Sequence, residues 1–258
     1  MVKAIPDILA TIVEQKKLDL ADREPRIEER AERSVGGRRD FLAALTAREP
    51  AIIAEIKKAS PSRGVLAEHF DPAAIARSYE TGGAAALSVL TEERHFLGGL
   101  CDLESARGAT RIPALRKDFT IDPYHVHEAA AYGADAILLI AAILTEREMR
   151  DFRELAERYG MAALVEVHDE AELGPAIGSG ARVIGVNNRN LHTFEVKLET
   201  SLGLADKIPG GVVRVAESGI HSPADVRKLS AAGYQAFLVG EHLMKSGDPA
   251  AALKALLA

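Results

Sequence analysis

The sequence predicts an α/β protein, a (β/α)8 TIM barrel with an N-terminal helical extension. Eight short apolar runs recur after Pro50 and alternate with amphipathic segments of helical spacing. The runs are nearly continuous, as expected of parallel strands covered on both faces. Helix-start signals recur between them, most clearly an Asp or Ser followed by Pro. Strand–helix alternation repeated eight times closes most simply into a barrel. An open doubly wound sheet is the competing arrangement. No Gly-x-Gly-x-x-Gly turn follows the first run, which counts against a dinucleotide-binding version of it.

Before the barrel, Ile8, Leu9, Ile12 and Val13 have helical spacing within residues 5–20. Residues 22–40 are charge-rich and read as a solvated loop or exposed helix, and Phe41 to Leu45 as a second short helix. The expected strands are Ala51–Ile56, Ala84–Leu90, Ile112–Leu115, Ala136–Ile140, Ala162–Val167, Val183–Val186, Val212–Ala216 and Ala236–Val239. Asp71-Pro72, Asp122-Pro123, Ser222-Pro223 and Asp248-Pro249 mark helix starts, and Thr145 with Glu148 forms a capping box. Gly133, Gly160 and Gly233 stand where helices should end. One domain over residues 1–258 is expected, with 1–48 as the extension.

Composition narrows the function. With 258 residues, 47% hydrophobic and 27% charged, the chain can bury a large core. A net charge of −6 without a basic face disfavours nucleic-acid binding. The longest apolar run, Ala136 to Leu144, is too short to cross a bilayer, and the N-terminus has no apolar signal core. A single cysteine, Cys101, fits a reducing cytoplasm. The chain ends soon after the eighth helix, so no fused second activity is expected.

The chemistry should lie at the C-terminal ends of the strands. Counting by twos from the inward apolar residues puts Lys57, Lys117, Glu166, Asn187 and Glu217 in the barrel mouth, with Glu55 in phase behind Lys57. Any one of these could be a solvated loop charge, and together they could form a structural salt-bridge layer. Ionised groups in phase with an inward face more often serve a site. Ser218-Gly219 after strand 7 and Gly240-Glu241 after strand 8 fit a phosphate cradle. His125 and His127 face different ways early in a helix, a poor metal pair, and His168 reads as a cap of the next helix. Cys101 reads as a loop residue, buried or a bystander. Phe96 and Phe119 suit either the core or stacking on an aromatic substrate.

Five segments, in order and in barrel register, resemble the indole-3-glycerol phosphate synthase family. They are Ala54-Glu-Ile-Lys-Lys-Ala-Ser-Pro-Ser62, Leu115-Arg-Lys-Asp-Phe119, Leu164-Val-Glu-Val-His168, Ile184-Gly-Val-Asn-Asn-Arg189 and Ala216-Glu-Ser-Gly-Ile220. The N-terminal Ile8-Leu9 and Lys16-Lys17 extend the match. The resemblance implies a cofactor-free and metal-free ring closure. The phosphorylated substrate would be 1-(2-carboxyphenylamino)-1-deoxyribulose 5-phosphate, and the products indole-3-glycerol phosphate, CO2 and water. It implies Lys117 as general acid near Glu55, with Glu166, Asn187, Glu55 and Lys57 serving the dehydration. Ser60 and Arg189 would hold the substrate carboxylate. Ser218, Gly219, Gly240 and the Glu241 backbone would hold the phosphate with Lys57, while Glu217 would orient Lys57. Asn190 stands where Asp is as readily expected, and Glu241 where Ser is common. The resemblance leaves contact with other tryptophan-pathway enzymes open. A phosphoribosylanthranilate isomerase-like barrel would need a cysteine at the end of strand 1. A Schiff-base aldolase using Lys117 is a second rival. A noncatalytic phosphosugar-binding barrel is a third, and the intact acid–base set argues against it.

Overall fold

The computed structural model describes residues 7–61, 64–67, 69–191 and 193–258. Residues 5 and 6 of the expected first helix, and Ser62 and Arg63 of the first loop, lie outside the described residues. Eight parallel strands close into a barrel in sequence order. They are β1 (Ala51–Ile56), β2 (Ala86–Leu90), β3 (Ala114–Lys117), β4 (Ala136–Ile140), β5 (Ala162–Val167), β6 (Val183–Asn187), β7 (Val213–Glu217) and β8 (Ala236–Val239). The ring closes where β1 pairs with both β2 and β8.

The period of two explains the layering. On β1, Ile52, Ala54 and Ile56 pack outward under the helices, while Ala51 and Ile53 join the barrel interior. Glu55 continues the inward series. Four strands differ from expectation at their ends. β3, β6 and β7 run on to Lys117, Asn187 and Glu217, and β2, β3 and β7 begin later. A polar residue reads as the end of an apolar run. Here each is inward-facing and paired, so the ladder continues through it.

The extension comprises α1 (Asp7–Asp19), α2 (Ile27–Arg33) and α3 (Phe41–Thr46). The charge-rich stretch is therefore not merely solvated: α2 buries Ile27 and Ala31 against the helical layer. Helix α3 inserts Phe41 and Leu45 among Ala51 and Val213 and so plugs the N-terminal end of the barrel. Helix α1 lies at the opposite end. Its half-buried Lys16 Nζ is 2.7 Å from Oδ1 of the buried Asp118.

The outer helices are α4 (Pro72–Gly82), α5 (Leu100–Gly108), α6 (Pro123–Ala131), α7 (Glu146–Arg158), α8 (Glu170–Gly178), α9 (Glu199–Leu204), α10 (Pro223–Ala231), α11 (Glu241–Met244) and α12 (Pro249–Leu256). Asp71, Asp122, Ser222 and Asp248 each accept a backbone N–H at an N-terminus, as expected. Thr145 and Glu148 make the reciprocal capping box. Gly133, Gly160 and Gly233 follow helix ends with φ of 85°, 70° and 94°. Two assignments change. Asp169, not His168, caps α8, and Cys101 is exposed within α5 rather than in a loop.

Candidate active site

A cavity of about 480 Å³ opens at the C-terminal ends of the strands. The fourteen residues singled out from the sequence as catalytic or substrate-binding all border it. Its innermost polar layer comes from the odd strands. Glu55 on β1, Lys117 on β3, Glu166 on β5 and Glu217 on β7 each stand at or next to the last position of their strand. Barrel interiors stack in layers of four drawn from alternate strands, so this layer is a regular one filled with charges.

The even strands make room for those side chains. A Cβ on Gly185 would come within 2.1 Å of Glu217 Oε1, and one on Gly240 within 2.2 Å of Glu55 Oε1. Even alanine at either place would displace a carboxylate. Gly185 was not among the residues expected from sequence to shape the site. Its only local signal is a glycine inside an apolar strand, which often marks a close approach.

The pairing within the layer corrects two expectations. Lys117 Nζ lies 2.6 Å from Glu166 Oε2 and 3.5 Å from Glu217 Oε2. Glu55 Oε1 instead accepts from Lys57 Nζ at 2.6 Å. Thus Glu166, rather than Glu55, is the close partner of Lys117, and among the described residues the cation paired with Glu217 is Lys117 rather than Lys57. The short separation of Glu55 and Lys57 along one face lets them satisfy each other first. Asn187 Nδ2 donates to Glu166 Oε1 at 3.3 Å, and Asn187 Oδ1 accepts the Arg189 backbone N–H at 3.0 Å.

Burial sets the protonation states. It would lower the Lys117 pKa, but the carboxylates of Glu166, Glu217 and Glu55 outweigh it and raise the pKa. Burial pushes Glu217 up to about 8 against the pull of Lys117, with Glu166 and Glu55 adding repulsion. Burial acts upward on Glu166 too, yet Lys117 and His168 hold it well below the usual carboxylate range. The pair Lys117–Glu166 is therefore favoured as ions, while burial and its carboxylate neighbours favour the protonated form of Glu217. Among the described residues, the buried Glu217 Oε1 has no hydrogen-bond partner.

The loops add the walls. Glu92 is buried and accepts the backbone N–H groups of Arg94, His95 and Phe96. That clasp holds Phe96 so that its ring centroid is 6.4 Å from that of Phe119. The Ala59 N–H donates to the Phe96 carbonyl, linking the first loop to the second. The first loop also forms a two-stranded ribbon, Ala59–Ser60 with Gly64–Val65. Arg189 contacts the Phe194 carbonyl at 3.4 Å, and its Nη2 lies 3.8 Å from Glu241 Oε2. Sequence reasoning missed Ile12, Leu191, Phe194, His221 and His242 on the cavity wall. Only loop placement after β6, β7 and β8 could have pointed to the last four. His125 and His127 have separate neighbours: the first accepts the Ile121 N–H, the second meets Tyr159.

Comparison with known proteins then decides the family. A family model described as indole-3-glycerol phosphate synthase matches residues 9–256. The chain belongs to the indole-3-glycerol phosphate synthase family. The indole-3-glycerol phosphate synthase of Chromobacterium violaceum is 50% identical over 97% of this chain and 97% of its own. That of Koribacter versatilis is 49% identical over 96% of this chain and 98% of its own. Among solved structures, a 3-hexulose-6-phosphate synthase superposes with a TM-score of 0.64 at 15% identity, covering 80% of this chain and 97% of that one. A thiamine phosphate pyrophosphorylase from Pyrococcus furiosus gives 0.60 at 18% identity, covering 81% and 94%. At those identities the likeness shows the barrel fold alone. The indole-3-glycerol phosphate synthase family assignment rests on the sequence relatives.

Proposed function

We propose that this cavity closes the indole ring of tryptophan biosynthesis. Its substrate is 1-(2-carboxyphenylamino)-1-deoxyribulose 5-phosphate, which loses CO2 and water to give indole-3-glycerol phosphate. The observation that carries the reading is the ionised Lys117–Glu166 pair at 2.6 Å inside a layer of carboxylates. Lys117 donates to the ketone oxygen as the aromatic carbon attacks the carbonyl carbon. Loss of CO2 from that ring carbon restores aromaticity. Departure of the hydroxyl as water then needs an acid and a base. Glu166, steadied by Asn187, and the Glu55–Lys57 pair stand closest to that task.

Binding follows from the walls. Phe96 and Phe119 offer a slot for the aromatic ring. Arg189 and Ser60 suit its carboxylate, since a guanidinium can grip one with two hydrogen bonds. Ser218, Gly219, Gly240 and the Glu241 backbone, with Lys57, suit the phosphate. The first N–H groups of α11 lack intrahelical acceptors, as at any helix start. A Schiff-base route is disfavoured because it needs a neutral lysine, and the carboxylates keep Lys117 charged. An isomerase-like route needs a thiol at the end of β1, where Glu55 and Lys57 stand. A cytoplasmic setting fits the lone cysteine and the absence, among the described residues, of any helix long and apolar enough to cross a membrane.

Two experiments test the reading. Purified protein given the substrate, without metal or cofactor, should develop the fluorescence of the indole product; folded protein that yields none overturns it. Helix α1 supplies Ile8, Leu9 and Ile12 to the cavity and is tied down by Lys16 to Asp118. Lys16→Ala should therefore raise KM by about tenfold, a loss of ~1.4 kcal/mol. A smaller effect on kcat is expected, and steady-state kinetics would show whether the split holds.

A further inference from the structure

A titratable side chain in contact with the acid–base layer is left unused by the chemistry above. His168 directly follows β5 and is nearly buried, with only 10% of its side chain exposed. Its Nδ1 is 3.1 Å from Glu172 Oε2, which also accepts the His168 backbone N–H at 2.7 Å. Its Nε2 is 3.1 Å from Glu166 Oε1, a charge contact off the hydrogen-bonding line. Glu172 is itself buried, in the first turn of α8, where its N–H donates to Asp169. Both ring nitrogens thus face a carboxylate. Neutral imidazole has one N–H and would turn a lone pair on one of them, whereas imidazolium presents a donor to each.

We propose that His168 is a positioning residue that, as an imidazolium clamped by Glu172, fixes the Glu166 carboxylate toward Lys117 and holds it ionised as a proton acceptor. The inference rests on the part given to Glu166 above. With His168 and Asn187 on Oε1, the other oxygen is left to Lys117. The groups facing the pair are Lys117 from β3, Asn187 from β6, Glu217 from β7 and Glu172 from α8. Lys117 disfavours a second cation nearby. Yet Glu166 and Glu172 outweigh both that and burial, and His168 is raised to about 9. Near neutral pH the imidazolium is therefore the resident form.

The test is made on the whole enzyme. Nuclear magnetic resonance of wild-type protein labelled with nitrogen-15 histidine should show one imidazolium persisting at about pH 8, its signal absent in His168→Asn. No such imidazolium in folded wild type overturns the proposal. In His168→Asn, kcat should fall about tenfold to a hundredfold with KM within about twofold. Wild-type kcat is expected to fall as His168 loses its proton near pH 9, and His168→Asn should lack that step. Glu172→Gln should lower the titration midpoint of His168 and reduce kcat less. Wild-type kcat and pH profile in His168→Asn would sink the proposal while leaving the chemistry above intact, provided Glu166→Gln is impaired. Normal turnover in Glu166→Gln would instead remove Glu166 from the reaction and this inference with it.

Discussion

Lys117→Ala is expected to lower kcat by about 10³-fold, the scale of a lost general acid, with KM changed little. Among the described residues, the ammonium is the only cation placed between Glu166 and Glu217, at 2.6 and 3.5 Å. Without it no charged donor in this layer can meet the ketone oxygen as negative charge develops there. The proposed phosphate and carboxylate anchors belong to other loops, so binding should survive. The substitution also leaves Glu166 without its main counter-charge, which should raise its pKa toward the usual range. Steady-state and single-turnover fluorescence would separate binding from chemistry. A kcat within about tenfold of wild type would take the acid role away from Lys117.

Arg116→Leu is expected to cost about 3–5 kcal/mol of folding stability, the penalty for stripping one partner from a buried ion network. Arg116 is fully inside and donates to Thr91 Oγ1, the His125 carbonyl, Asp118 Oδ2 and Glu128 Oε2 at 2.6–3.1 Å. Leucine fills much of the volume but satisfies none of these acceptors. The pH dependence has a definite sign. Burial alone would raise the Asp118 pKa, but Lys16 and Arg116 hold it far below the usual carboxylate range. Its contribution is present above about pH 4, the unfolded value, and is lost as pH falls further. The gap between wild type and variant should therefore be widest near neutrality and shrink in acid. Denaturant unfolding at several pH values measures it, and a gap below about 1 kcal/mol at neutral pH would contradict this account.

Much of the fold is legible because its signals are local. Asp-Pro and Ser-Pro pairs cap helices through contacts a few residues long, and the structure keeps all four. The phase of two along each strand carries Glu55, Lys117, Glu166 and Glu217 inward without knowledge of neighbouring strands. The strand ends at Lys117, Asn187 and Glu217 were less legible. A polar residue closes an apolar run on paper but extends a strand when a partner waits inside the barrel. An exposed helix was one reading of the charge-rich stretch, but its anchorage was hidden: two buried residues, Ile27 and Ala31, hold the mostly charged α2 to the core.

Local pattern was enough to read the barrel, the end at which the polar side chains gather and which residues border the cavity. It could not say which charge pairs with which. Lys117 and Glu166 are 49 positions apart, and His168 reaches Glu166 only because β5 ends and α8 turns where they do. Closure of the ring decides those distances, since it sets the register that brings alternate strands into one layer. It also turns Gly185 from a gap in a strand into the space that Glu217 occupies. Pair energies at a buried site change steeply over an ångström, and an ångström is settled only when all eight strands are in place.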